Sequence, residues 1–229
     1  MAGELTGLFI TFEGGEGSGK TTHANLLYRY LHDQGHRVVL TREPGGTRIS
    51  DKVRAILLDP ENTDILPHTE ILLFSASRAQ LGEEFIRPHL QAGYIVICDR
   101  YADSTMAYQG YGLGLDLDKL RVITAFATGG LKPDLTLYLD IPVEAGLKRR
   151  LGAVDQGGLT VGGSQLPLFN KWDRLDRKEV EYHRRVQLGY EELILAEPNR
   201  WHRINADRAA EAVQEDIQRK VLSVLEDRS

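Results

Sequence analysis

Residues 9–22 read FITFEGGEGSGKTT, an apolar run that leads directly into the pattern Gly-x-x-x-x-Gly-Lys-Thr at residues 14–21. Glycines let backbone N–H groups approach an anion closely, and the helix that follows directs the positive end of its dipole at the same point. In this pattern Lys20 reaches the β- and γ-phosphates of a nucleotide, and Thr21 supplies an oxygen to a bridging Mg²⁺ ion. The stretch therefore predicts a phosphate-binding loop between a buried strand and a helix.

The composition is ordinary for a soluble globular chain and favours one domain over residues 1–229. The 229 residues are 41% hydrophobic and 27% charged, which is enough apolar material for a large core. With 28 Lys and Arg against 33 Asp and Glu, the net charge is −5, so we expect no binding to nucleic acid or to anionic membranes. Cys98 is the only cysteine, which rules out an internal disulfide and favours the cytoplasm. No apolar run is long enough for a membrane span.

Short apolar runs alternate along the chain with segments of helical periodicity. The predicted strands are 8–13, 37–41, 94–98, 135–140 and 201–205, and the longest predicted helices are 69–91 and 174–196. This alternation is typical of an α/β fold, in which helices cover both faces of a parallel sheet. Residues 152–171 hold five glycines and no lasting periodicity, so we expect a mobile lid at about 149–172.

Two pairs of residues are candidates for a ligand site. Asp99 and Arg100 follow the strand predicted at 94–98, and ligands of open α/β sheets bind beyond the carboxyl ends of the strands. We expect Asp99 near the Mg²⁺ and Arg100 on a second phosphate group. Phe74 and Arg78 lie one helical turn apart and so share one side of a helix. From spacing alone, a core position for Phe74 and a solvated position for Arg78 are the commoner arrangement.

The blocks of sequence that follow the phosphate loop are similar to those of bacterial thymidylate kinases, in the same order. They are EGGEGSGKTT at 13–22, TREPGGT at 41–47, FSASRAQL at 74–81, DRYADSTMAYQG at 99–110, KPDLTLYLD at 132–140 and DRLDRKEVEYHRRVQLGY at 173–190. The resemblance covers nearly the whole chain except residues 152–172. It implies the P-loop nucleoside monophosphate kinase fold with strand order 2-3-1-4-5, a homodimer, and a cis bond between Glu43 and Pro44. The implied reaction transfers the γ-phosphoryl group of Mg-ATP to the 5′-phosphate of dTMP.

The resemblance also implies roles for individual residues. Phe74 would stack on thymine and Arg78 would bind its carbonyl edge, while Arg100 would hold the acceptor phosphate. The residues implied to bind dTMP are Glu16, Phe74, Arg78, Arg100, Ser104, Thr105, Tyr108 and Gln109. Those implied to bind ATP are Gly14, Gly15, Glu16, Gly17, Ser18, Gly19, Lys20, Thr21 and Thr22, with Thr21 and Asp99 at the metal. Of these, Glu16 and Tyr108 would contact the sugar.

The acceptor is a phosphate oxygen, which is already largely ionised at pH 7, so no catalytic base is required. Catalysis then depends on positioning and on positive charge at the transferred group. In one class of the resembled family an arginine in the phosphate loop supplies that charge, but Gly17 occupies its place here. We therefore expect a lid arginine in this role. The implied catalytic residues are Lys20, Arg100, Arg149, Arg150 and Arg174.

Other functions share the phosphate loop. A deoxynucleoside kinase would need a base, for which Glu13 is the nearby candidate, and another nucleoside monophosphate kinase would have a different base pocket. A nucleotide switch or DNA-remodelling ATPase is a further alternative, although the acidic balance disfavours DNA. Residues 170–173 spell Asn-Lys-x-Asp, a pattern of GTP-binding switches, but no strand precedes them and we interpret the match as coincidence.

Overall fold

The computed structural model describes residues 5–155, 160–161, 164–165 and 179–228. Its main sheet is parallel, and its five strands, counted along the chain, have the order 2-3-1-4-5, which confirms the predicted fold class and strand order. The five strands are β1 Leu8–Glu13, β2 Val38–Arg42, β3 Ile95–Asp99, β4 Leu135–Asp140 and β7 Trp201–Asn205. They are short, nearly continuous apolar runs because a parallel sheet with helices on both faces buries both sides of each strand.

Helices connect successive strands and cover the two faces of the sheet. Their bounds are α1 Lys20–Asp33, α2 Arg48–Leu58, α3 Pro67–Leu81, α4 Arg87–Gln91, α5 Ala102–Thr105, α6 Leu117–Thr128, α7 Val143–Asp155, α8 Val180–Ala196 and α9 Ala210–Glu226. Alternate residues of β1 show the two layers. Ile10 packs with the apolar stripes of α1 and α9, whereas Phe9 packs with Leu81 and Ile86 on the opposite face.

The predicted helix over 69–91 is interrupted. A π-helical turn, Gly82–Ile86, joins α3 to α4, and Pro88 lies in the first turn of α4. A proline removes one backbone donor and clashes with the preceding turn, and a widened turn ahead of it relieves both problems. A second π-helical turn, Met106–Gly112, follows α5. A kink or a shortened helix at Pro88 is expected from the sequence, but the π-helical form of the two turns was not predicted.

Much of the predicted lid at 149–172 lies outside the described residues, as do the start of the helix predicted at 174–196 and the Asn-Lys-x-Asp pattern. The described part of that helix begins at Val180. Within the region expected to lack regular structure, β5 Thr160–Val161 pairs with β6 Ser164–Gln165 as a short antiparallel hairpin.

The carboxyl ends of the central strands assemble the candidate site. Phe12 of β1 lies opposite Asp99 of β3, and Arg42 of β2 lies on the other side of Asp99. The segments that follow these strands therefore emerge together, as expected for a parallel sheet. Among the described helices, none combines the length and apolar character needed to cross a bilayer.

Candidate active site

The phosphate loop has the backbone conformation that its glycines predict. Gly14, Gly17 and Gly19 have φ values of 144°, 67° and 92°, which are accessible to glycine at little cost. Lys20 Nζ donates hydrogen bonds to the carbonyl oxygens of Gly14 and Gly15, at 2.9 and 2.7 Å. The side chain of Lys20 is thereby held inside the loop at the start of α1. Ser18 completes the turn of the loop, and Thr22 lies in the first turn of α1.

The loop also touches α7 through backbone alone. A Cβ on Gly17 would lie 1.9 Å from the carbonyl oxygen of Gly146, and a Cβ on Gly146 would lie 2.2 Å from that of Glu16. Contacts this short are impossible for any residue with a side chain. Together with its positive φ, this contact explains why position 17 carries no arginine in this chain.

The surroundings of Lys20 shift the pKa of its ammonium group. Burial and the neighbouring Arg100 lower the pKa of Lys20 to about 8, although Glu16 and Asp99 oppose this change. The ammonium group is thus mostly charged at pH 7 and requires anionic partners. This is the electrostatic setting that a phosphate group would complete.

Thr21 and Asp99, the two residues predicted at the metal, are in contact. The Thr21 hydroxyl donates a hydrogen bond to Asp99 Oδ2, and Arg100 Nη1 donates to Asp99 Oδ1 at 3.0 Å. Hydroxyl and carboxylate oxygens are the ligand types that Mg²⁺ takes, and such sites use one or two carboxylates together with substrate phosphates. In the described part of the chain no group of three His, Cys, Asp or Glu residues could hold a metal by itself. The donor set fits a magnesium ion that arrives with a nucleotide.

Glu16, Arg100 and Tyr108 form a polar cluster beside the loop. Glu16 accepts a hydrogen bond from the Tyr108 hydroxyl at 2.8 Å and an ion-pair contact from Arg100 Nη2 at 3.4 Å. Burial opposes the ionised form of Glu16, but Arg100, Lys20, Tyr108 and Arg150 outweigh it and lower its pKa to about 2. Glu16 is therefore a carboxylate at any physiological pH. Three of the predicted substrate-binding residues lie together here.

Arg78 is buried, contrary to the solvated position that its spacing favoured. Its guanidinium is 1% exposed and pairs with Glu43, with 2.7 Å between Nη2 and Oε2. Nη2 also donates to the Thr105 hydroxyl at 2.9 Å and to the Tyr101 carbonyl oxygen at 3.4 Å. Nη1 has no hydrogen-bond partner among the described residues. The expected cis bond between Glu43 and Pro44 is confirmed.

Phe74 and Glu70 precede Arg78 by one and two turns of α3. Phe74 is half-buried, in contrast to the core position that spacing favoured. Glu70 is buried and accepts a hydrogen bond from Gln109 Nε2 at 2.9 Å. A ring that lies between two buried polar side chains on one helix forms a mixed surface, suited to a flat ligand with polar edges. Gln109 thus joins this surface from the second π-helical turn.

Ser104 forms a hydrogen bond with Glu13, the last residue of β1. Its hydroxyl donates to Glu13 Oε2 at 2.6 Å and lies 3.1 Å from the hydroxyl of Tyr190. Tyr190 also donates to Glu13 Oε2, at 2.8 Å. The predicted contact between Ser104 and a base stays a prediction, while its neighbour Thr105 reaches Arg78 directly.

Comparison with known proteins places this site in a family. The family model for thymidylate kinase matches residues 12–217, which is most of the chain. The chain belongs to the thymidylate kinase family. The resemblance predicted from the sequence blocks is confirmed.

Individual relatives agree with the family model. The chain is 58% identical over 212 residues to a thymidylate kinase of Roseiflexus sp. (strain RS-1), covering 92% of this chain and 91% of that protein. It is 52% identical over 219 residues to a thymidylate kinase of Herpetosiphon aurantiacus, covering 92% of this chain and 93% of that protein. The crystal structure of thymidylate kinase from Ehrlichia chaffeensis superposes with a TM-score of 0.72 at 30% identity, covering 94% of this chain and 98% of that chain.

The arginines proposed from the family pattern separate in this structure. Arg149 donates to the carbonyl oxygen of Ala206 at 2.8 Å and to Asp207 Oδ1 at 3.0 Å, in the connection between β7 and α9. Arg150 is half-buried, and its charge helps to lower the pKa of Glu16 in the phosphate loop. Arg174 lies outside the described residues.

Sequence reasoning missed several residues that organise the site. Glu43, Glu70 and Tyr190 were not candidates, although each contacts one. Glu43 lies within the TREPGGT block and Tyr190 ends the last matching block, but neither block assigns these two residues a role. For Glu70 the available signal was position alone, since it lies one turn before Phe74 on the same face.

Proposed function

We propose that this member of the thymidylate kinase family transfers the γ-phosphoryl group of ATP to the 5′-phosphate of dTMP, giving dTDP and ADP. The observation that carries the proposal is the unpartnered, buried Nη1 of Arg78 on the helix face shared with Phe74. A buried donor without a partner is costly unless a ligand completes it. A thymine ring stacked on Phe74 supplies the missing acceptor.

The base pocket explains the choice of pyrimidine. Arginine offers donors only, so Arg78 Nη1 donates to a ring carbonyl oxygen and disfavours the amino group of cytosine, which is itself a donor. The remaining contacts of the guanidinium, to Glu43 and Thr105, fix its plane. Sites built to hydrogen-bond a substrate group reject analogues that lack it by large factors.

The polar cluster beside the loop provides the binding sites for the sugar and the acceptor phosphate. Tyr108 and Glu16 are joined by a hydrogen bond, and together they wall the sugar, leaving the 3′-hydroxyl side to Glu16. Arg100 lies between Glu16 and Asp99 and holds the acceptor phosphate. This arrangement places the acceptor phosphate next to the phosphate loop.

The chemistry requires alignment and neutralisation of charge. Lys20 leaves the loop carbonyls to bind the donor phosphates, and the backbone N–H groups of the loop cradle them. Thr21 and Asp99 would hold Mg²⁺, which would neutralise charge on the donor phosphates. Arg150 supplies positive charge from the lid side, since Gly17 excludes a side chain from the loop. Arg174 remains a second candidate.

A deoxynucleoside kinase is disfavoured by the position of its required base. Glu13 is 0% exposed, and it already accepts hydrogen bonds from Tyr101, Ser104 and Tyr190. A base must reach the hydroxyl that it deprotonates. Glu13 is committed to protein partners instead.

The deciding experiment measures ADP release from Mg-ATP with dTMP, dUMP, UMP, dCMP, dGMP and thymidine as acceptors. We expect a clear preference for dTMP and little turnover with dCMP or thymidine. Comparable turnover of thymidine or of a purine nucleotide would refute the proposal. ATP hydrolysis that needs no acceptor, or that DNA stimulates, would indicate a switch or a remodelling ATPase.

The chain acts as one cytoplasmic domain that pairs as a homodimer. The helices α3 and α6 pack against each other, and both carry exposed apolar side chains. These side chains, which support a dimer, are Leu72, Val122 and Phe126, the last of which is 89% exposed. A second copy of the same surface covers them with twofold symmetry. Sedimentation should show a dimer for the wild type and a monomer when Val122 and Phe126 are both replaced by Glu. A monomeric wild type would refute this pairing.

A further inference from the structure

Arg100 has an unusual backbone. Its φ is 66°, and within the described ranges it is the only residue other than glycine with a positive φ. A side chain in this region is sterically disfavoured, and the conformation persists only where surrounding contacts determine it. Glycine would adopt it freely, but glycine has no guanidinium for a phosphate. A strained arginine at this position therefore needs a support.

Backbone contacts on both sides of Arg100 supply that support. Its own N–H donates to the carbonyl oxygen of Phe12 at 3.0 Å, which continues the pairing between β1 and β3. The next N–H, that of Tyr101, turns away from the ladder and donates to Glu13 Oε1 at 2.9 Å. The second contact is the one that follows the left-handed residue, and it is made by a carboxylate.

Glu13 is positioned to accept this hydrogen bond, and its other contacts are also with protein groups. It ends β1 directly before the phosphate loop, it is fully buried, and its other oxygen accepts from Ser104 and Tyr190. Asp103, whose negative charge also acts on Glu13, is itself paired with Arg200 through two contacts of 2.7 and 2.8 Å. Nothing in this arrangement presents Glu13 to a substrate.

We propose that Glu13 is a positioning residue for phosphoryl transfer: by accepting the Tyr101 N–H, its carboxylate holds the left-handed turn at Arg100 and so aims the guanidinium at the acceptor phosphate. The inference rests on the proposed function, in which Arg100 binds that phosphate. The guanidinium lies between Asp99, at 3.0 Å from Nη1, and Glu16, at 3.4 Å from Nη2, and the proposed function puts the acceptor phosphate beside these two residues.

The test compares dTMP and thymidine binding by calorimetry at pH 8 in the wild type and in Glu13→Gln. Because a neutral amide makes a weaker hydrogen bond than a carboxylate, we expect Glu13→Gln to weaken dTMP binding about 10-fold. Thymidine has no phosphate, so its affinity should change less than 2-fold. Tyr190→Phe is the matched control, since it removes one bond to Glu13 but spares the bond to Tyr101, and any change in affinity that it causes should be the same for dTMP and thymidine.

A double-mutant cycle separates this inference from the proposed function. If Arg100 binds the acceptor phosphate, Arg100→Ala alone weakens dTMP, and adding Glu13→Gln to it has no further effect. An unchanged dTMP affinity in Arg100→Ala would refute the role of Arg100 itself. An effect of Glu13→Gln that is equal for thymidine, that persists without Arg100, or that Tyr190→Phe reproduces would overturn the positioning role. If Glu13→Gln does not fold, Glu13→Asp takes its place, because the shorter side chain keeps the charge but moves it away from the Tyr101 N–H. Glu13→Asp must then show the same selective loss of affinity for dTMP.

Discussion

Replacing Glu13 by Gln should make the protein more stable at pH 8 while making it a poorer enzyme. Burial, and secondarily the charge of Asp103, raise the pKa of Glu13 from its ordinary 4.5 to about 7, although hydrogen bonds from Ser104, Tyr190 and Tyr101 oppose the change. At 1.36 kcal/mol per pKa unit, this difference corresponds to about 3 kcal/mol of lost stability once the group is ionised in both states. Glutamine carries no charge at any pH and avoids this cost.

The sign and the pH window follow from linkage. A carboxyl group whose pKa is raised on folding favours the folded state below the unfolded pKa, and that contribution is lost as pH rises through the folded pKa. The advantage of Glu13→Gln over the wild type should therefore open between about pH 4.5 and pH 7 and stay constant above. We expect about 3 kcal/mol at pH 8 and roughly 1 kcal/mol at pH 5.

Urea denaturation of both proteins at pH 5, 6, 7 and 8 measures the gap, because other titrating groups cancel in the difference. Glu16→Gln is the matched control. The pKa of Glu16 is lowered to about 2, because nearby cations outweigh the effect of burial, so removing its charge should cost stability at pH 7. A wild type more stable than Glu13→Gln at pH 8, or a gap that does not change with pH, would refute the reasoning.

Five further substitutions, two of them controls, test the loop and the lid. Lys20→Met should abolish turnover with little change in the melting temperature, and near-normal kcat would contradict its assignment to the donor phosphates. Gly17→Ala should lower both stability and activity, since its φ is 67° and the new Cβ would lie 1.9 Å from a backbone oxygen of α7. Gly15→Ala, whose Cβ meets nothing within 4 Å, is the matched control, and equal effects on stability would disprove the packing argument. Arg150→Ala should lower kcat about 10²-fold or more and Arg149→Ala much less, and steady-state kinetics showing the reverse order would reassign the lid charge.

The architecture was predictable because its signals are local. A parallel sheet covered on both faces requires strands that are apolar throughout, and these stand out between polar turns. The predicted bounds at 8–13 and 135–140 coincide with β1 and β4. The π-helical turn at Gly82–Ile86 was not predictable in this way, because it depends on how the backbone accommodates Pro88 once both flanking helices are packed.

The candidate site was predictable only where topology decides proximity. Thr21 and Asp99 were expected to meet because both follow strands that end at one edge of the sheet. Arg78 was different, since its spacing on a helix indicates only which side it faces. It is buried because Glu43, 35 positions earlier in the chain, provides a buried carboxylate partner at the end of β2. No short-range pattern carries that information.

Glu13 and Glu16 show most clearly what a sequence pattern leaves undetermined. They are the same residue type, three positions apart at the start of one loop, and their pKa values move in opposite directions. Glu16 emerges from the loop between Lys20 and Arg100, so cations stabilise its charge. Glu13 still belongs to the strand, and its direct hydrogen-bond partners are a backbone N–H and two hydroxyls. A carboxylate among neutral donors is costly, and this cost is consistent with a use of Glu13 other than stability. The backbone of Arg100, held in a conformation that an arginine does not favour, is where that use is found.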